Sequence, residues 1–178
     1  MERNGVSHSY TYGNSIWLDK LTAYDGHTIS YDNSGNPLSY YNGASYTMTW
    51  RNGRQLNSVV TGGKTYSYEY DVNGLRTRKT NSDGGYTEYY IMDGLTVAER
   101  KFNASNTEVY TMRYYFDESN APVGIGIQYP SSADTYWDNY YFAKNLQGDI
   151  IAIYNNNGGE PNLIATYNYD AWGKPLGV

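Results

Sequence analysis

The sequence predicts an all-β protein made of antiparallel β-hairpin repeats, and three observations lead to this fold class. First, 23 of the 178 residues are tyrosine and 19 are glycine, a combination that favours strands separated by turns. Second, Gly, Pro and Asn interrupt every long candidate for helical periodicity. Third, Tyr-Asp followed three residues later by Gly recurs along the chain. We expect a long, curved and twisted meander sheet of roughly 12 to 14 strands.

The Tyr-Asp-x-x-Gly phrase predicts the hairpin turns. The first residue of a type I turn is commonly Asp or Asn, whose side chain accepts from backbone amides ahead of it, and a Gly at the fourth position adopts positive φ. Such a turn is a standard hairpin connection. The predicted structural turn residues are four pairs: Asp32 with Gly35, Asp71 with Gly74, Asn145 with Gly148, and Asp170 with Gly173.

The segments beside these turns have strand periodicity. Residues 65–70 alternate strictly, with three tyrosines on one face and polar residues on the other. After the turn glycines, Leu38, Leu56 and Leu75 return an apolar side chain. Each unit therefore predicts two strands, one on either side of the turn.

The turn glycines also predict a repeat. They fall at Gly35, Gly53, Gly74 and Gly94 and again at Gly148 and Gly173, with the first four about 20 residues apart, a period typical of stacked supersecondary units. We predict a single domain over residues 1–178 with about seven hairpin units. Residues 100–136 are the least regular part.

Composition limits the partners. The net charge of −5 and a pI near 4.9 predict no nucleic-acid binding, because phosphate contacts require clustered Lys and Arg. Arg76, Arg78 and Lys79 are expected to form a solvated face. There is no apolar run near 18 residues, so we predict no membrane span, and we find no signal peptide in this chain. Cysteine is absent, which removes disulfide and thiolate chemistry.

No constellation of catalytic or metal-ligating residues is recognisable. His8 and His27 lack further ligands at metal-binding spacing, and no nucleophile elbow, zinc-protease or phosphate-loop motif occurs. Asp32, Asp71 and Asp170 are better explained as turn residues than as catalytic acids. We therefore predict no catalytic residues, no metal, no cofactor and no enzymatic activity.

The aromatic surplus leaves two alternatives open. Trp50, Trp137 and Trp172 could stack on sugar rings, whose faces are apolar and whose edges are hydroxylated. Alternatively, a chain this poor in Leu, Ile and Phe uses its rings to pack the sheet. The three tryptophans are thus candidate glycan-stacking residues, weighed against packing.

Several segments resemble the YD-repeat family, also called RHS repeats. The matching stretches are "SYDNSGNPL" at 30–38, "EYDVNGLRTRKT" at 69–80 and "NYDAWGKPLG" at 168–177. The C-terminal part, from "YFAKNLQGDIIAIYNNNGG" at 141–159 onward, resembles the segment that precedes the RHS-associated core. The resemblance implies an open segment of a spiral β-shell that encloses a C-terminal toxin. The self-cleaving core motif is absent, so its catalytic aspartates are not transferred to Asp170.

Two functions follow as hypotheses. The first is a non-enzymatic structural scaffold within a larger bacterial cell-surface or secreted toxin-type protein, whose partners are further repeats, the C-terminal core or the toxin. The alternative is a module that binds cell-wall or cell-surface glycans. The resemblance implies an extracellular or cell-surface location for the parent protein. We also predict self-association through a sheet edge or the tyrosine face, because open sheets expose unpaired edge amides.

Overall fold

The chain folds into strands and turns. A computed structural model describes residues 2–3, 6–130, 136–157, 159–170, 173 and 175–177. This described part contains no helix, and hence none long and apolar enough to cross a membrane. The chain divides into two compact units, Met1–Tyr86 and Thr87–Val178. The expectation of one domain over residues 1–178 stays a prediction.

The first unit is a series of antiparallel pairs that ends in a meander. Strands β1 and β2 pair with each other, β3 to β5 form a three-stranded sheet, and β6 to β10 lie side by side in sequence order. The strands are β1 Glu2–Arg3, β2 Val6–Ser7, β3 Tyr10–Tyr12, β4 Leu21–Tyr24, β5 His27–Thr28, β6 Ser39–Tyr41, β7 Ser45–Arg51, β8 Gln55–Thr61, β9 Lys64–Tyr70 and β10 Arg76–Asn81.

The second unit continues with seven meander strands and a terminal hairpin, β18–β19. These strands are β11 Tyr86–Met92, which begins at the boundary residue, β12 Leu95–Phe102, β13 Glu108–Phe116, β14 Pro122–Gln128, β15 Asp138–Lys144, β16 Ile150–Asn157, β17 Glu160–Thr166, β18 Asn168–Tyr169 and β19 Pro175–Gly177. Meander strands number twelve in the described residues, and their pairings are antiparallel. The predicted all-β antiparallel meander is confirmed.

One five-residue turn recurs along both units. In its clearest copy, the amide of Asp71 donates to the carbonyl of Leu75 over 2.9 Å and the amide of Gly74 donates to the carbonyl of Asp71 over 3.1 Å. The Asp71 carboxylate also accepts from the amides of Asn73 and Leu75, each over 2.9 Å. The same pair of main-chain bonds closes turns that start at Asp32, Asn81, Asn103, Asp117 and Asn145.

Positive φ marks the fourth residue of these turns. Gly74 has a φ of 81°, while Asn106 and Asn120 hold this place in two turns with φ of 59° and 62°. Asn tolerates the left-handed region better than most residues, because its short side chain can hydrogen-bond locally. Gly53 and Gly94, which the sequence period groups with Gly74, instead follow residues that also have positive φ, as in the tighter type I′ turn.

Few side chains are fully buried. Among the described residues, the buried hydrophobic ones are Ile29 in the first unit and Ala152 in the second, and the buried polar side chain is that of Asn36. Most strand residues are half-buried, as expected for a sheet whose faces carry side chains against neighbours on the same face. Cross-strand contacts therefore contribute much of the stabilisation.

Three cations of strand β10 contact tyrosine rings in the first unit. The guanidinium of Arg76 lies 4.5 Å from the ring centroid of Tyr68, and the ammonium of Lys79 lies 5.0 Å from that of Tyr66. Arg78 sits 3.7 Å above a further tyrosine ring. These three cations were expected to form a solvated face. Arg76 is exposed to solvent, and all three cations also make cation–π contacts, which stabilise the rings.

Candidate functional site

The tyrosine of the Tyr-Asp phrase makes a hydrogen bond in addition to packing its ring. Its hydroxyl donates a hydrogen bond to a main-chain carbonyl of an earlier strand or its flank. The three bonds run from Tyr31 to Leu21 over 2.7 Å, from Tyr70 to Leu56 over 3.0 Å, and from Tyr169 to Ile150 over 2.6 Å. The phrase therefore places a hydroxyl donor where the chain turns.

The predicted turn residues lie as pairs within their own turns. Hydrogen bonds from Asn36, its side chain first, lower the pKa of Asp32. The side-chain oxygen of Asn145 accepts from the amides of Gln147 and Asp149 over 3.0 and 2.9 Å. The amides of Gly35, Gly148 and Gly173 donate to the carbonyls of Asp32, Asn145 and Asp170 over 3.1, 3.1 and 3.0 Å. The side chains of Asp32, Asp71 and Asn145 thus accept from backbone amides of their own turns.

The three candidate tryptophans have different environments. Trp50 is half-buried, and its indole N–H donates to the carbonyl of Pro37 over 2.7 Å. This bond resembles the tyrosine hydroxyl bonds, so Trp50 contributes to the sheet. Trp137 lines a pocket. Trp172 lies outside the described residues.

The pocket beside Trp137 belongs to the second unit and has a volume of about 250 Å³. Its lining is mostly polar, with two aromatic rings among amide and carboxylate side chains. The lining residues are Trp137, Asp138, Asn139, Tyr141, Asn155 and Asn156. Strand β15 and the residue before it supply four of them, and strand β16 supplies the other two.

A short hydrogen-bond chain holds one wall of this pocket. The hydroxyl of Tyr115 donates to Oδ1 of Asn139 over 2.7 Å, and Nδ2 of Asn139 donates to the carbonyl of Trp137 over 3.2 Å. Both of these hydrogen bonds of the Asn139 side chain are thus made to other residues of the protein. The guanidinium of Arg113 lies 4.0 Å from the Trp137 ring centroid. The main chain of Trp137 is therefore bound to Asn139, and a cation lies over its ring.

Gly126 makes this arrangement fit. A Cβ at this position would lie 2.3 Å from the hydroxyl oxygen of Tyr115 and 3.1 Å from both Oδ1 of Asn139 and Cε3 of Trp137. Gly126 is the second of two glycines in strand β14, after Gly124. Its structural role is to leave space on strand β14 for Tyr115.

Strands β12 and β13 carry two further polar clusters. In the first cluster, Arg100 forms an ion pair with Glu108. Glu108 also accepts a hydrogen bond from the hydroxyl of Thr111 over 2.5 Å. This bond is the largest cause of the lowered pKa of Glu108. In the second cluster, Glu99 accepts a hydrogen bond from the hydroxyl of Tyr110 over 3.1 Å. Burial, and next the negative charge of Glu99, raises the pKa of Tyr110 to about 12.

These clusters do not form a metal site. Within the described ranges, no three His, Asp or Glu side chains are placed to hold a metal ion. Arg100 is the only cation that Glu108 contacts there. The clusters support strand pairing.

Sequence reasoning found one pocket residue and missed the others. Trp137 was identified by its residue type. Asn139 and Tyr115 carry no local signal, because they lie 24 positions apart. A cue for Tyr115 was available in the two glycines of strand β14, since glycine within a strand indicates close approach of another group.

Comparison with known proteins gives two similar nucleases. No protein-family model matches the chain. It is 30% identical over 161 residues to the tRNA3(Ser)-specific nuclease WapA of Bacillus spizizenii and 31% identical over 161 residues to the tRNA nuclease WapA of Bacillus subtilis strain 168. Each alignment covers 89% of this chain and 6% of the relative. The chain therefore spans a small part of the length of these relatives.

A solved structure has the same fold. The crystal structure of TcdB2-TccC3-Cdc42 superimposes with a TM-score of 0.52 and 15% identity, over 90% of this chain and 9% of that chain. These similarities support an RHS/YD-type protein. The structural likeness carries the fold alone, because the sequence identity is low.

The relatives correct one prediction. We expected no enzymatic activity, and that expectation is wrong, because the curated relatives are named as tRNA nucleases. The absence of a familiar catalytic motif was a poor guide, since the chain corresponds to 6% of these proteins. The nuclease activity is named for these relatives as whole proteins, of which the chain matches 6%.

Proposed function

We propose that the chain is a structural RHS-type segment of a larger bacterial protein that has tRNA nuclease activity. The observation that carries this proposal is the repeated unit itself: a five-residue turn plus an aromatic donor that ties neighbouring strands. The similarity to a small part of two tRNA nucleases supports the parent activity. The segment would support other parts of the same polypeptide, namely further repeats, a C-terminal core or a toxin.

The finer details stay proposals. The resemblance of residues 141–177 favours a position just before an RHS-associated core. An extracellular or cell-surface location for the parent protein remains a prediction. So does the absence of nucleic-acid binding by this chain, which rests on its net charge of −5.

The test asks whether the chain is a structural segment only or cleaves tRNA itself. The purified 178-residue chain is incubated with total bacterial tRNA, and cleavage is followed on denaturing gels while binding is followed by gel shift at low salt. We expect no gel shift, because the chain has a net charge of −5, and the denaturing gel shows whether the segment itself cleaves tRNA. Circular dichroism of the same sample should show a β-sheet spectrum.

Two outcomes would overturn this proposal. Cleavage of tRNA by the folded chain would assign the activity to this segment itself. A helical spectrum would remove the structural basis of the segment. A matched Gly74→Val sample shows how a disrupted turn alters the spectrum.

A second candidate function is glycan binding, and the polar pocket beside Trp137 favours it. Trp50 is a weaker candidate because its N–H already bonds Pro37. A glycan array probed with the purified chain tests this function, and silence across the array would sink it.

A further inference from the structure

An asparagine precedes a glycine at three hairpin tips in the described part of the first unit. The pairs are Asn42-Gly43 between β6 and β7, Asn52-Gly53 between β7 and β8, and Asn73-Gly74 between β9 and β10. Further pairs at 4–5 and 157–158 include residues outside the described ranges. We propose that Asn42 is a site of spontaneous deamidation, with water as the co-reactant, and that the structure protects Asn52 and Asn73. The inference is independent of the function proposed above.

Deamidation uses two groups of the same pair. The main-chain nitrogen of the glycine loses its proton and attacks Cγ of the asparagine, so that an N–Cγ bond forms. The Cγ–Nδ2 bond breaks, and the side-chain nitrogen takes up a proton and leaves as ammonia. Water then opens the cyclic imide at either carbonyl, which gives aspartate or isoaspartate. Glycine favours the attack because it has no Cβ and can adopt many backbone conformations.

Both reacting groups are unbound at the tip between β6 and β7. Asn42 and Gly43 are exposed, and in the described structure no hydrogen bond is recorded for the Asn42 side chain or for the Gly43 amide. A Cβ at Gly43 would meet nothing within 4 Å. Strand β6 has three residues and ends the meander, and such short edge elements open locally at low cost in free energy.

The asparagine side chain is bound at the tip between β7 and β8. Nδ2 of Asn52 donates a hydrogen bond to Oε1 of Gln55 over 3.0 Å. Nδ2 is the atom that must leave, and this bond also restricts the rotation that brings Cγ to the Gly53 nitrogen. The Asn52 side chain is therefore protected although it is exposed.

The glycine amide is bound at the tip between β9 and β10. The amide of Gly74 donates to the carbonyl of Asp71 over 3.1 Å. A donated hydrogen bond opposes the loss of that proton and fixes the attacking nitrogen within the turn. The Asp71 carboxylate also accepts from the amide of Asn73 over 2.9 Å. The repeated five-residue turn thus protects its own Asn-Gly pair.

The product would weaken the end of the meander. Either product adds a negative charge to the chain, and isoaspartate also lengthens the main chain by one methylene group. The tip lies directly beside the pairing of Tyr41 with Ser45, one of three registered pairs between β6 and β7. Deamidation at Asn42 therefore loosens the pairing of β6 as the protein ages.

The experiment follows the three sites in the folded full chain at mildly alkaline pH. Peptide mapping by mass spectrometry measures the loss of each amide, and an isoaspartate-specific methyltransferase confirms the isomer formed. We expect the Asn42 amide to be lost about tenfold faster than the Asn52 or Asn73 amide, which is the rate effect of one hydrogen bond. In guanidinium chloride the three rates should become similar, because the protecting bonds are absent in the unfolded chain.

Variants test the cause of the difference. Gln55→Ala removes the acceptor of the Asn52 side chain, so the Asn52 amide should be lost about tenfold faster while the Asn42 rate stays unchanged. Asn42→Asp has no amide at this position and should remove most of the ammonia released by the folded chain.

Three results would overturn the proposal. Similar rates at the three sites of the folded chain would show that the structure does not select Asn42. A preference for Asn42 that persists in guanidinium chloride would assign it to neighbouring sequence. An unchanged Asn52 rate in folded Gln55→Ala would overturn protection by the side-chain bond. The comparison of folded and unfolded parent chain decides the first two without any variant.

Discussion

The hydroxyl of Tyr70 donates a hydrogen bond to the main-chain carbonyl of Leu56 over 3.0 Å. Leu56 lies near the start of strand β8, and Tyr70 ends strand β9 just before the turn at Asp71. Trp50 makes the corresponding bond through its indole N–H to the carbonyl of Pro37. The repeat therefore requires an aromatic ring that carries a donor, and phenylalanine does not meet this requirement.

Tyr70→Phe should lower the stability of the first unit. The variant keeps the ring and removes the hydroxyl, so the Leu56 carbonyl loses its side-chain partner. We expect a loss of about 1 kcal/mol, measured by urea unfolding. Tyr68→Phe is the matched control, because in the described structure Tyr68 contacts Arg76 through its ring and no hydrogen bond is recorded for its hydroxyl. Equal losses in both variants would contradict the role of the Tyr70 bond.

Substitutions at the fourth residue of the turn should change the stability of the protein according to how well the new residue tolerates positive φ. Gly74 has a φ of 81°, so Gly74→Val should destabilise by about 1–2 kcal/mol or more, because a side chain is strained in the left-handed region. Asn120 holds the same place at 62°, and Asn120→Gly should be neutral or stabilising. Unfolding in urea measures both. A Gly74→Val variant as stable as the parent would show that the turn tolerates a branched residue.

Local sequence predicted the fold class well, since strand and turn chemistry depend on residues a few positions apart. Asp71 and Gly74 are separated by two residues, and the hydrogen bonds of their turn lie within five. Asn106 and Asn120 were harder to recognise because Asn replaces Gly at the position of positive φ. The turn pattern is still visible once both residue types are allowed.

The pocket could not be predicted in the same way. Tyr115 and Asn139 meet because strands β13, β14 and β15 pair in one register, with Tyr115 opposite Gly124 and Gly126 opposite Asn139. Residue type alone does not give such a register. The activity of the parent protein was also out of reach, because it depends on similarity to much longer proteins and not on a motif in this chain.

Gly126→Ala should break the contact between Tyr115 and Asn139. The new Cβ would lie 2.3 Å from the Tyr115 hydroxyl oxygen, so that ring must move away from Asn139. We expect a loss of about 1–3 kcal/mol. In a Tyr115→Phe background the hydroxyl is already gone, and the same glycine substitution should cost less. A double-mutant cycle with urea unfolding checks this, and additive losses would sink the explanation.

Alkaline pH should weaken the second unit through Tyr110. Its pKa is raised from 10.0 to about 12, first by burial and then by the charge of Glu99. Between these values the folded protein holds a proton that the unfolded chain has released, so stability is full below about pH 10 and falls as pH rises toward 12. In the Tyr110→Phe variant, stability should fall less steeply as the pH rises from 10 to 12. Urea midpoints from pH 9 to 12 measure it, and an unchanged slope in the variant would contradict the assignment.

Self-association should occur through the outer edge of strand β17. In the described residues β17 pairs with β16 alone, and Leu163 and Ile164 on it are 51% and 47% exposed. An exposed edge strand offers unpaired amides and carbonyls to a further strand. We expect light scattering to give a mass above 20.2 kDa at high concentration, and Leu163→Lys to reduce it, because a charge at an edge opposes pairing. Val72→Lys adds the same charge at a fully exposed turn position and should leave the mass unchanged. A monomer at every concentration, or an equal effect of both lysines, would rule out this edge.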